Sequence, residues 1–183
     1  MNSSDPRFLY LDSARMRFET LKRMSERAFE QVSDADLEWA FNPECNSLRI
    51  QIQHLHGNML SRWTEPLTTD GEKPGRRRDD EFVSAGPVNR VELLRLWEVG
   101  WKALFDSLAS FAPEDLARTI YIRGEAHTLI DALNRQLMHT AYHVGQIVHL
   151  AKERSGERWQ TLSIARGKSG EFRPQGANAW SPR

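Results

Sequence analysis

One cysteine, Cys45, is all that the chain has in 183 residues. An internal disulfide is therefore excluded, and so is a thiolate-rich structural zinc site. Neither sign of charge is in excess: 25 basic residues face 25 acidic ones, a formal net charge of zero. Strong nonspecific binding to nucleic acid wants a basic surface, so no nucleic-acid partner is expected. The one basic cluster, Arg76-Arg77-Arg78, runs straight into Asp79, Asp80 and Glu81. It reads as a solvated loop, or as a loop held by its own ion pairs. No apolar run approaches the ~20 residues that span a bilayer, so no membrane partner is expected. The opening residues, Met1 to Arg7, lack the apolar core of a signal peptide. With a lone cysteine, which suits a reducing compartment, the expectation is a cytoplasmic protein.

What the chain does have is helical periodicity. Leu11, Ala14, Phe18, Leu21, Ser25, Ala28 and Val32 alternate at spacings of three and four, one stripe of a long first helix. Ser33 to Asp36 resembles a cap for a short turn. A second long helix is expected from Asn46 or Ser47 to about Trp63, a third from Asn89 to about Phe111. Thr128 with Asp131 starts a fourth, which Ser155-Gly156 stops. Before it, Thr119 to Ile122 is β-prone and Gly124 follows, so a small hairpin or extended lap is expected. The fold class is all-α, a four-helix bundle. The 64–88 link is too long for a tight turn between antiparallel neighbours. It allows the second and third helices to run parallel, with a crossover.

The residues that point to chemistry are histidines. His139 and His143 stand four apart in the fourth helix, so both rings leave one face and can share a metal ion. The familiar protease motif has a glutamate after the first histidine; here that place is Thr140. A third ligand has to come from elsewhere, and His54 and His56 are the candidates. They point to nearly opposite sides of the second helix, so one can join. Leu48, Ile52, Leu55, Met59 and Trp63 form its apolar stripe, and His56 lies nearer to it than His54. The His54 strip carries Gln51, Asn58 and Arg62, which face solvent or wall a polar pocket. On the fourth helix the stripe is Ile130, Leu133, Leu137, Val144, Val148 and Ala151. The histidines lie more than a right angle away, on a second face that could meet another subunit.

Several stretches resemble the DinB/YfiT-like superfamily of four-helix metal-binding proteins, in an uncharacterised bacterial subgroup. They are Gln53 to Trp63, Asp70 to Pro74, Tyr121 to Glu125, Asn134 to Ile147 and Trp159 to Ile164. The run His139-x-x-x-His143-x-Gly145-Gln146-Ile147 is the most specific. The resemblance implies a metal-binding domain over residues 1–172; the tail over 173–183 is expected from its composition to be poorly ordered. It implies one divalent transition metal (zinc, nickel or iron) on His54, His139 and His143, against the preference for His56. It also implies parallel second and third helices and a homodimer.

Three nitrogen ligands leave a coordination position open. By analogy with characterised relatives the expected activity is a thiol (S-)transferase acting on a small electrophilic substrate. The partners would be that substrate and a low-molecular-weight thiol. The alternatives are a metal-dependent hydrolase, with Glu65 or Asp79 as candidate bases, and a noncatalytic stress-related metal-binding or interaction protein. The 64–88 loop is expected either to cover the mouth of the site or to serve as a salt-bridged connector.

Overall fold

The computed structural model describes residues 5–172. The expected tail over 173–183 lies outside them. Four long helices form the bundle: α1 Pro6–Phe29, α3 Leu48–Trp63, α4 Arg90–Ser110 and α5 Leu129–Ser155. A one-turn helix, α2 Asp34–Leu37, lies between the first two. The starts follow from side-chain caps. Ser47 accepts from the Ile50 amide, Asn89 from Glu92 and Thr128 from Asp131, so one orphan donor at each end is satisfied. Ser33 and Asp36 make a reciprocal capping box at α2.

Contacts along the helices fix their directions. His56 on α3 bonds to Leu96 of α4, and farther along both helices Ser107 donates to the Trp63 carbonyl. So α3 and α4 run parallel. Tyr10 bonds to Asn134 near the start of α1 and α5, and Ser155 donates to Gln31 near their ends, so these two are parallel as well. Gln51 meets Gln146 whereas His54 meets His139, which makes α3 and α5 antiparallel. The order is up, down, down, up. The 64–88 link carries the chain back along α3, as its length allows.

The core is an aromatic column on α4 with leucines around it. Trp97 stacks edge-on to Phe29 and to Trp101, with ring centroids 5.2 and 5.4 Å apart. Gly100 lets α3 approach closely, since a Cβ there would lie 3.0 Å from the His56 Cα. Strands β1 Thr119–Ile122 and β2 Glu125–Thr128 pair antiparallel, with Ile122 opposite Glu125. Arg123 and Gly124 between them both have positive φ, the type I′ geometry of a two-residue hairpin. Ile120 and Ile122 turn into the core.

One expectation for α5 needs correction. Ile130, placed on its apolar stripe, is 38% exposed. Gln136, Thr140 and His143 are buried instead. The helix is covered on two sides, by α1 on its apolar side and by α3 on its polar side, so its inward surface is wider than the hydropathy stripe. The second face assigned to another subunit is occupied by α3 of the same chain.

Candidate metal centre

Antiparallel packing of α3 on α5 brings three imidazoles together. His139 and His143 leave α5 one turn apart, and His54 reaches them from α3. The Nε2 of His139 lies 3.1 Å from the Nε2 of His54 and 3.1 Å from that of His143. Among the described residues these three histidines form a group able to hold a metal ion. Two nitrogens on one tetrahedral ion, each at about 2.05 Å, stand roughly 3.3 Å apart, so these spacings suit a shared ion.

Proton bookkeeping points the same way. His54 Nδ1 lies 2.9 Å from the Glu81 carboxylate, which can only accept, so Nδ1 carries a hydrogen and, in the neutral tautomer, Nε2 is a bare lone pair. His143 Nδ1 lies 2.6 Å from Gln51 Oε1, with the same result. Gln51 is held in turn by its amide, which donates to Gln146 at 2.8 Å. His139 has no partner for its buried Nδ1 among the described residues. With neutral rings, the three Nε2 atoms converge with at most one hydrogen among them. Burial depresses the His139 pKa to about 3, helped by the neighbouring His143 and His54. Burial, then His54, brings His143 down to about 4. At neutral pH both rings are therefore neutral, the form that binds a metal. The donor set fits a divalent cation.

A second layer comes from the 64–88 loop. Glu81 sits in a 3-10 turn, Arg78–Phe82, and its carboxylate lies against His54. Burial opposes its charge, but hydrogen bonds from His54 and Arg76 prevail and hold its carboxyl below the usual carboxylate range. Arg76 grips it with two bonds, Nε to Oε1 at 2.8 Å and Nη2 to Oε2 at 2.9 Å. Gly57 makes room: a Cβ there would lie 2.1 Å from Glu81 Oε1. Phe82 leans over the His54 ring at 4.9 Å.

The loop is fastened along α3 at both ends. Ser61 donates to the Gly71 carbonyl at 2.8 Å, and its oxygen accepts from the Lys73 amide at 3.0 Å. Gln53 donates to the carbonyls of Glu81 and Val83. Arg49, itself buried, pairs with Glu38 and donates to Ala85 and Gly86. Asp70 accepts from the amides of Arg123 and Gly124 at 2.9 and 2.8 Å, which ties the loop to the hairpin. The loop is held by its own ion pairs and also lies against His54.

The other histidines and the cysteine fall elsewhere. His56, nearer the apolar stripe, faces α4 and donates Nδ1 to the Leu96 carbonyl at 2.8 Å. His127 pairs with Asp131 at 2.7 Å, and His149 stacks on Phe41. Cys45 is free and half-buried before α3. Neither carboxylate weighed as a base adjoins the histidines. Asp79 is wholly in solvent, and Glu65 is exposed where the chain leaves α3. Glu81 and Gln51 are the residues that sequence reasoning did not assign. Gly57, one turn beyond His54, is the one signal that something packs there.

Trp97 and Trp101 prove to be core residues, each 1% exposed. Among the described residues no helix is long and apolar enough to cross a membrane. A comparison with curated proteins gives no match. Over residues 6–168 the chain matches the model of an uncharacterised family, and it belongs to that family, the Protein of unknown function (DUF1572) family.

Proposed function

We propose that the protein is a metal-dependent transferase that joins a low-molecular-weight thiol to a small electrophilic substrate. The reading rests on three imidazole nitrogens meeting at the wall of a cleft, which His54 and His139 both line. The resemblance to the DinB/YfiT-like superfamily supports it. A structural zinc site is closed by four protein ligands. Here the described residues group three. A divalent zinc, nickel or iron ion held by His54, His139 and His143 supplies the positive charge that favours thiolate over thiol. Glu81 and Gln51, each accepting from an Nδ1–H, keep two of the rings turned with Nε2 inward. A thiol cosubstrate suits a reducing compartment, and the cytoplasm is the one proposed.

Hydrolysis is the alternative, and it normally wants a general base beside the attacking water. Among the described residues no carboxylate lines the cleft, and Glu81 is engaged by His54 and Arg76. That favours the thiol reading. The test is metal analysis of the native protein, then a screen of thiols against a chromogenic electrophile. Turnover is expected from metal-loaded protein and not after chelation or in His139→Ala. Ester hydrolysis without thiol transfer would favour the hydrolase. An inert protein with a closed, four-coordinate ion would favour the noncatalytic reading.

A further inference from the structure

The cleft beside the imidazoles has a volume of about 180 Å³. Its charge is one-sided. Arg62, Arg76, Arg78, Arg123 and Arg135 line it, and among the described residues no aspartate or glutamate does. In a chain of zero formal charge this is a local concentration. The carboxylates that contact these arginines are not part of the lining. Glu72 takes Arg62 at 2.7 Å, Arg123 at 3.2 Å and Arg76 at 3.4 Å, while Glu81 takes Arg76. Asp79 lies 3.8 Å from Arg78 and is wholly in solvent. Arg135 has no carboxylate within ion-pair distance among the described residues; its Nη1 meets His127 at 3.3 Å. Five guanidinium groups against three carboxylates leave the wall positive.

The five arginines divide by mobility. The Arg62 and Arg76 side chains are 10% and 5% exposed and locked by their partners, so they supply a fixed field. Arg78, Arg123 and Arg135 stand at the exposed rim with donors to spare. A planar guanidinium fork matches a carboxylate or phosphate group in two parallel bonds. The rest of the wall is mixed. Ile120, Ile122 and Ala132 give it an apolar part. Asn58 and Trp63 also belong to it, and each has a buried polar atom with no partner among the described residues: the acceptor Asn58 Oδ1 and the donor Trp63 Nε1. The volume lies below the ~300–1,000 Å³ of drug-sized pockets, so the occupant is small.

We infer that the cleft binds a small organic anion, a carboxylate or phosphate ester, whose charged group lies among Arg78, Arg123 and Arg135. The other end of the molecule points toward His54 and His139. Only that orientation rests on the metal reading; anion binding rests on the arginines alone. In the reaction proposed above, either the thiol or the electrophile can carry the anionic group.

Calorimetric titration of succinate, mercaptosuccinate and inorganic phosphate tests the inference. It is run on protein carrying one equivalent of zinc and on chelator-treated protein, with metal content measured separately. Saturable binding of succinate or phosphate is expected in both states, weakening as salt is raised. Arg135→Gln and Arg78→Gln, both at exposed positions, should each weaken it about tenfold, since each removes a charge-assisted hydrogen bond. Mercaptosuccinate binding more tightly than succinate in the zinc-loaded state alone assigns the anionic group to the thiol. Equal affinities assign it to the electrophile. Arginine-dependent anion binding by a protein that takes no metal keeps this inference and removes the transferase reading. Metal binding without saturable anion binding, or affinities unmoved by both substitutions, overturns it.

Discussion

On one side of α3, Leu48, Ile52, Leu55, Met59 and Trp63 join the apolar core. On the other, Gln51 and His54 are also buried, yet they face α5 and the loop through polar atoms. The first face is held by area removed from water, which is non-directional and tolerant of small shifts. The second depends on directed hydrogen bonds and a buried ion-pair chain, where one missing partner leaves an unpaid polar group. The same helix thus carries a face that sets stability and a face that sets chemistry. Substitutions should separate them.

The largest effect on stability belongs to the apolar face. Leu55 is wholly buried, and Leu55→Ala should cost about 3 kcal/mol in denaturant unfolding through lost burial and a residual cavity. The protein that remains folded should still take one metal ion per chain. Loss of metal binding in that folded fraction would show the two faces to be coupled.

The polar face answers to different changes. Glu81→Gln removes the charge behind His54 and should weaken metal binding about 10–100-fold. Gly57→Ala should act in the same direction, because its Cβ would displace the same carboxylate. The double variant should be no worse than the stronger single, since both remove one interaction. Additive losses would mean that Gly57 has another task.

Acid should also separate the faces. His139 and His143 titrate near 6.5 when unfolded and at about 3 and 4 in the fold. A depressed histidine pKa means that the unfolded chain binds the proton more readily. Metal-free protein should therefore have its full share of this stability above pH 6.5 and lose it as pH falls toward about 3. His139→Ala should flatten that dependence in thermal melts across the same range. An unchanged slope would contradict the neutral, buried pair.

The smallest effect concerns association. Met138 and Tyr142 on the outer side of α5 are 74% and 68% exposed. A homodimer, expected from the resemblance, would give twice the 21.1 kDa chain mass in light scattering at micromolar concentration. A monomer mass there ends that expectation.

The contrast also explains what could be read without coordinates. Caps at Ser47, Asn89 and Thr128 are local, so the starts of three of the long helices were legible from a few residues each. The apolar stripe of α3 was legible because burial of apolar area leaves a periodic trace. Hydropathy pointed to His56 rather than His54, because a buried polar face looks like a wet one in composition. The resemblance to a known motif pointed to His54, the histidine that the fold groups with His139 and His143. Arg76 belongs to a cluster that reads as solvated, yet its side chain is 5% exposed. Its burial depends on Glu72, Glu81 and the return of the loop along α3, none of which has a sequence period. Glu81 was hidden for the same reason.

Metal stoichiometry tests the central claim most directly. Wild-type protein and His54→Ala, His56→Ala, His139→Ala and His143→Ala would each be loaded with zinc, dialysed and analysed for metal per chain. One ion per chain is predicted for wild type and for His56→Ala, with loss in the other three. An empty wild-type protein, or loss in His56→Ala with retention in His54→Ala, would contradict the account.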